Sequence, residues 1–461
     1  MLPNDCKTGP ARLWVDVSTL LRWRGKITGI PRTVCQLVEH LPNTRGLRMR
    51  LCAFNGGLRT YEEVRPRPAW AEVRPAPPHA KRYDRLRRLY RLLPPDLQQA
   101  GRDGFSALRC LTRFLVRSGQ ESLAPLGRGL RNGAARLSRR GDPSPFGDGD
   151  VLVLPGATWD DIGCHDALDR IRRTRRLSVV SVVYDVIAAV MPQVCDPRLP
   201  PLFEPWLRRL LFQSDLVLTI SDRSRRDLIA LARRWGVAAP PVGVMRLGDA
   251  PPGGNRPARP RGLPAGVRSF VLTVATFEPR KNHWLLYQMW RRLVEQFGSR
   301  VPALVLAGHV GWATRDLLKQ VGADPLVRGR VLPLLDATDE ELSWLYANCL
   351  FTLYPSFYEG WGLPVAESLA NGKYCICSNA ASLPEVGGGL VDYHDPLDAL
   401  RCIELVRRAL FKPGFLEARE ARIREEYRPI SWAECAARVV PLLERNLGVR
   451  LVGPDPATKP T

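Results

Sequence analysis

At 461 residues the chain is too long for one ordinary domain and suits two of roughly 200 residues each. Hydrophobic residues make up 45% and charged residues 25%, the ordinary balance of a soluble globular protein, which sets disordered and fibrous classes aside. The net charge of +22, carried far more by Arg than by Lys, fits a polyanionic partner (nucleic acid, an anionic membrane face or a phosphorylated substrate) without choosing among them.

In chain order, the start Met1–Asp5 has no basic stretch running into an apolar one, so no signal peptide is expected. Strands are predicted at Arg12–Val17, Arg48–Phe54, Asp150–Leu154, Leu177–Tyr184 and Leu216–Ile220, alternating with helical patterns. Between the second and third lies an excursion from about Tyr61 to Gly147, first Pro-rich and then basic. Within it, Lys81–Leu93 places Leu86, Leu89 and Leu93 at helical spacing with Arg on the other faces. That segment reads either as a solvated helix or as one lying on an anionic membrane surface. The most apolar window, Leu177–Cys195, is interrupted by Asp185 and Pro192 and falls short of a spanning helix. A cytoplasmic chain is expected, peripheral on the inner face of the cytoplasmic membrane if the basic segment binds there.

The cluster Pro251-Pro252-Gly253-Gly254 and the prolines that follow it cannot be helix or central strand. We therefore read residues 1–250 as one Rossmann-like domain, 251–264 as a linker, and 265–461 as a second domain whose last helix packs back on the first. Strands in the second half are predicted at Phe270–Ala275, Ala303–Ala307, Arg330–Leu334, Phe351–Tyr354 and Tyr374–Cys377. Two such α/β halves leave a cleft between the carboxyl ends of their sheets, where open α/β sheets bind ligands. The eleven Cys are scattered without repeated CxxC pairs and read as reduced core thiols, Cys375 and Cys377 among them. No RNA-binding signature or zinc-finger spacing is present, so nucleic acid is not an expected partner.

The chemistry-bearing stretch is Tyr354–Gly372: a strand end, a loop with Gly360 and Gly362, and a helix opened by Pro364 and stopped at Gly372. Free N–H groups at such a helix start cradle an anion. Glu367, read as lying in the first turn, suits the hydroxyls of a ribose beside the anion rather than the anion itself.

This stretch resembles the motif of two Glu separated by seven residues in the retaining GT-B glycosyltransferases of family 4. The resemblance implies that Glu359 lies near the transferred sugar and that Glu367 holds the nucleotide ribose, with Gly360, Trp361, Gly362 and Leu363 lining the donor. Val274–Asn282 is similar to the segment that brings basic residues to the donor diphosphate, here Arg280 and Lys281; Thr276 stands where many members carry another Arg. Gly25–Thr33 looks like the Gly-Ile-x-Arg loop that faces the donor, through Gly29 and Arg32. Asp185 follows Tyr184 where many members have His-Asp, and is expected to orient the acceptor hydroxyl. Ser214–Ser221 resembles a strand ending in a Ser near the cleft, or an ordinary strand with a helix cap at Ser221. Gly156–Asp160 reads as acceptor-side lining or as core. Ser382–Gly389, with Asp395-Pro396 after it, is expected to shape a loop around the donor.

The implied reaction moves a hexose from a nucleotide diphosphate sugar, GDP-mannose first and a deoxyhexose donor second, to a glycan or lipid-linked acceptor with the anomeric configuration retained. No metal is expected: Asp148-Gly149-Asp150 precedes a strand and reads as a turn, leaving Arg280 and Lys281 to neutralise the leaving group. The rival is a basic, non-catalytic polyanion-binding protein on the same fold, against which the intact pair Glu359 and Glu367 argues; donor hydrolysis separates the two.

Overall fold

The computed structural model describes residues 11–23, 29–44, 47, 49–65, 143–159, 161–249 and 256–451. The Lys81–Leu93 segment and the Pro/Gly cluster before residue 256 lie outside them.

The first half forms a seven-stranded sheet. Its strands are β1 (Leu13–Asp16), β2 (Met49–Asn55), β3 (Thr60–Val64), β4 (Val151–Leu154), β5 (Ser178–Val183), β6 (Leu216–Thr219) and β7 (Val242–Val244), in the order β3-β2-β1-β4-β5-β6-β7. All neighbours are parallel except β2 and β3, an antiparallel hairpin. The second half forms a parallel six-stranded sheet from β8 (Phe270–Val274), β9 (Ala303–Gly308), β10 (Val331–Leu335), β11 (Thr352–Tyr354), β12 (Cys375–Ser378) and β13 (Asp392–His394), in the order β10-β9-β8-β11-β12-β13. Central strands such as Leu-Trp-Val-Asp of β1 and Val-Leu-Val-Leu of β4 are buried throughout, as a parallel sheet covered on both faces requires.

The helices that follow the strands of the first half are α1 (Ser18–Arg22), α2 (Gly29–His40), α3 (Ile162–Thr174), α4 (Ile187–Val190), α5 (Pro200–Gln213) and α6 (Asp222–Arg234). Those of the second half are α7 (His283–Phe297), α8 (Arg315–Ala323), α9 (Asp339–Asn348), α10 (Leu363–Ala370), α11 (Leu383–Gly387), α12 (Ala399–Phe411), α13 (Phe415–Glu426) and α14 (Trp432–Leu447). Their starts are fixed locally: Ser221 caps α6 through the Ser224 N–H, and capping boxes Thr338/Glu341 and Ser431/Glu434 open α9 and α14. The short α1 separates β1 from the Gly-Ile-Pro-Arg turn, so that turn opens the second helix rather than the first.

The chain crosses back at its end. Helix α14 packs against α2, and Ala11 donates to the Arg450 carbonyl at 3.1 Å. At the crossing the Asp249 carboxylate, 0% exposed, accepts from Arg246, the Tyr427 hydroxyl and the Ile430 N–H. A buried carboxylate is tolerated only when so engaged. The two halves thus share one apolar core, which runs from Val34 and Leu37 of α2 to Val439 and Leu443 of α14.

Candidate active site

In both sheets the strand order reverses beside the first strand of the half, between β1 and β4 and between β8 and β11. Such switch points open crevices at the carboxyl ends of the strands. The loops leaving β8 and β11 meet there. Asn282, in the left-handed region at φ 56°, donates through its amide to the carbonyls of Pro355 and Pro396, and Phe357 donates to the Arg280 carbonyl.

This meeting places Glu359 between two cations. Its Oε2 accepts from Arg280 Nη1 at 2.7 Å; its Oε1 accepts from Lys281 Nζ at 2.7 Å and from the Tyr354 hydroxyl at 3.0 Å. Arg280 is gripped on its other nitrogen by Glu278 at 2.6 Å. Glu359 is 6% exposed. Burial alone would raise its carboxyl pKa, but the Arg280 and Lys281 charges outweigh burial and hold it down at about 2. Two cations then compete for one carboxylate. Arg280, flanked by Glu359 and Glu278, is a cation at every working pH. The Lys281 ammonium is pulled below its ordinary range by burial and by Arg280 beside it.

The loop continues into α10. Gly362 sits at φ 118°, a backbone an L side chain rarely adopts. The helix begins at Leu363, one residue before Pro364, and ends at Ala370 with Asn371 as its cap. Glu367 therefore lies in the second turn, not the first, and does not complement the helix dipole. It is 4% exposed, with Oε1 accepting from Arg32 Nη1 and Oε2 from the Tyr346 hydroxyl, each at 2.9 Å. Burial raises the Glu367 carboxyl pKa, and Arg32 opposes that shift without cancelling it. Arg32 comes from the other half of the chain, so this pair also ties the halves together.

Other ties cross the same cleft. A side chain at Gly360 would meet the Tyr184 carbonyl at 2.7 Å, so only glycine permits this approach. Glu385 accepts the Asp222 and Arg223 N–H groups at the start of α6, at 2.8 and 2.6 Å. The Ser382 hydroxyl meets the carbonyls of Glu359 and Trp361, which fixes the Gly360–Gly362 turn. Asp185, just after β5, turns one oxygen to the Ile187 N–H; burial raises its carboxyl pKa against the pull of Arg280.

A cleft of about 430 Å³ opens between the halves. Glu359, Arg280, Lys281, Asp185, Glu367, Gly360, Trp361, Gly362, Leu363, Gly29 and Arg32 all line it, and so does Thr276. Tyr346, Tyr354 and Glu278, which hold the charged groups in place, carried no assigned role in the sequence reading: Tyr354 stood there as the strand end and Glu278 as part of the basic segment. Ser221 is fully buried as the cap of α6, and Ile220 reaches the cleft instead. Asp148 and Asp150 lie at a turn: Asp148 accepts the Arg176 N–H, while Asp150 takes Arg12, the Trp14 indole and the Gly147 N–H. Among the described residues no cluster of three His, Cys, Asp or Glu could hold a metal ion.

Two Rossmann-like domains facing across a cleft, with the charged cluster at the switch point of the second, define the GT-B glycosyltransferase class. Over 95% of the chain the fold superposes on the sucrose-phosphate synthase of Thermosynechococcus elongatus, with a TM-score of 0.58, 17% identity and 99% of that chain covered. Residues 258–389 match the family described as glycosyl transferases group 1. The O-antigen chain mannosyltransferase B of Escherichia coli is 30% identical over 266 residues, covering 57% of this chain and 68% of that protein. The MMP alpha-(1->4)-mannosyltransferase of Mycolicibacterium hassiacum is 25% identical over 328 residues, 66% of this chain and 76% of that protein. The chain belongs to the glycosyl transferases group 1 family. It is a transferase, and the non-catalytic reading is not favoured. No described helix is long and apolar enough to cross a membrane.

Proposed function

We propose that the protein is a retaining hexosyltransferase that moves mannose from GDP-mannose to a hydroxyl of a surface-polysaccharide or lipid-linked glycan acceptor. The observation that carries the reading is the buried cluster of Glu359, Arg280 and Lys281 at the mouth of α10. As the bond between the sugar C1 and the donor oxygen breaks, its electron pair leaves with the diphosphate. Fixed cations in a dry site stabilise that charge without reorganising. Arg280 and Lys281 do this in place of a divalent metal, and Glu359 holds both in position before the donor arrives. The acceptor oxygen then forms the new bond to C1 on the face that the diphosphate leaves, and its proton passes to the departing diphosphate oxygen. Asp185, on the opposite wall, orients that hydroxyl.

Mannose is supported by the names of the two relatives described above. Guanine comes from the resemblance of Glu278–Asn282 and Ser382–Val386 to bacterial mannosyltransferases, which implies a GDP-mannose donor. A lipid-linked acceptor would place the enzyme at the inner face of the membrane, with Lys81–Leu93 as the attachment.

A thermal-shift screen over GDP-, UDP- and dTDP-sugars tests the donor. A selective ligand at about 100 times its Kd stabilises the fold by about 2.7 kcal/mol. GDP-mannose should give the largest shift, and proton NMR of the product should show the anomeric configuration of the donor. A larger shift with a UDP-sugar, or an inverted product, overturns the proposal.

A further inference from the structure

Beside the donor cleft lies a second cavity, of about 260 Å³, that shares Ile30, Tyr184, Asp185 and Arg280 with it. One wall is aromatic and rigid. Trp159 and Trp206 meet edge to face at 5.5 Å, and Phe203 packs on Trp206 at 5.1 Å. Trp206 donates its indole N–H to Thr158 at 2.9 Å, which fixes the ring. Trp312, from the other half of the chain, is half-buried and closes the opposite side.

The charged groups are mostly acidic. Among the described residues lining the cavity, Asp185, Asp196 and Glu278 are acidic and Arg280 alone is basic. Arg280 spends three of its five N–H donors on Glu278, Glu359 and the Tyr358 carbonyl, and the transferase reading gives the other two to the donor diphosphate. Asp196 is held from the solvent side by Arg198, whose side chain is 88% exposed. No uncommitted cation of the described lining faces the space, although the whole chain carries a charge of +22.

Aromatic faces beside carboxylates match a sugar ring: its C–H face rests on the indoles and its hydroxyls donate to the carboxylates. A phosphate or a uronate would find acceptors where it needs donors, and like charges would repel it. We propose that this second cavity seats the terminal ring of the acceptor and selects a neutral hexose over a phosphorylated or acidic sugar. The seated ring places a hydroxyl at the passage between the cavities, where Asp185 and Arg280 line both. The proposal rests on the transferase reading above and narrows its acceptor.

Saturation-transfer NMR on the full chain, with and without GDP, tests it using methyl α-mannoside and methyl α-glucoside against mannose 6-phosphate. Calorimetry with GDP reports the donor cleft separately. A neutral glycoside should show transfer to its ring C–H protons and bind at least about tenfold more tightly than the phosphosugar. Trp312→Ala, at a half-buried position outside the donor cleft, should weaken that binding roughly tenfold, the scale of one lost aromatic contact, and leave GDP affinity unchanged. Equal or tighter binding of mannose 6-phosphate, neutral-sugar binding indifferent to Trp312→Ala, or GDP binding with no neutral-sugar binding overturns the inference while the transferase reading stands. Absence of nucleotide binding as well overturns both.

Discussion

Glu367→Gln probes the proposed ribose contact with the least disturbance. Ala at this position would remove the carboxylate that Arg32 and the buried Tyr346 hydroxyl share, and lost stability would be confused with lost binding. Gln keeps the shape and one accepting oxygen. The wild-type carboxylate spends one lone pair of Oε1 on Arg32 and one of Oε2 on Tyr346. It has about four such sites in all, so two remain for the paired hydroxyls of a ribose. Replacing a charged acceptor by an amide costs about 1.5–3 kcal/mol, equivalent to a rise in the Kd of GDP of about 10- to 160-fold. Calorimetry on wild type and variant measures it, with thermal unfolding as the control for folding. The same titration with 2′-deoxy-GDP completes a cycle: the missing hydroxyl should weaken binding to the wild type more than to the variant. Unchanged GDP affinity in a variant that unfolds at the wild-type temperature would refute the ribose assignment.

Lys281→Met should lower kcat by about 100-fold or more, the usual cost of losing one donor to developing charge, while EDTA leaves the wild-type rate intact. A strict divalent-metal requirement contradicts the cation-only mechanism. Burial, and then Arg280, depresses the Lys281 pKa; the ammonium is the working form, so kcat/KM should fall on the alkaline side, below the ordinary lysine range. In Lys281→Arg that fall should move to higher pH, and an alkaline limb that stays put assigns it to another group. The Lys81–Leu93 segment should bind anionic but not neutral vesicles, at about 1 kcal/mol per basic residue and less in high salt. Replacing Arg85, Arg87, Arg88 and Arg91 with Gln should abolish that binding; equal binding to both vesicle types returns the segment to a solvated helix.

What the sequence made legible follows from how local each feature is. Continuous apolar runs such as Ser178–Val183 and Ala303–Gly308 read directly as buried parallel strands. The three-residue strands β7 and β13 did not, because Val-Gly-Val and Asp-Tyr-His carry too little apolar pattern to stand out. The hairpin strand β3 was hidden at the start of a segment read as Pro-rich and inserted. At the site, the Glu359 to Glu367 spacing located the cleft. It put Glu367 in the first turn of α10 rather than the second, because the helix starts one residue before Pro364, a shift within the uncertainty of any helix start. The contacts across the cleft were beyond reach. Arg32 meets Glu367 across 335 positions and Glu385 meets Asp222 across 163, and only the tertiary fold brings them together.

In the proposed reading one cleft binds a nucleotide diphosphate with its charge on Arg280 and Lys281 and its ribose on Glu367. A crystal structure of the full chain with GDP would decide it. β-Phosphate oxygens should lie within hydrogen-bonding distance of the Arg280 guanidinium and the Lys281 ammonium, and both ribose hydroxyls on the Glu367 carboxylate. A nucleotide bound with its diphosphate away from these two cations, or its ribose away from Glu367, would contradict it.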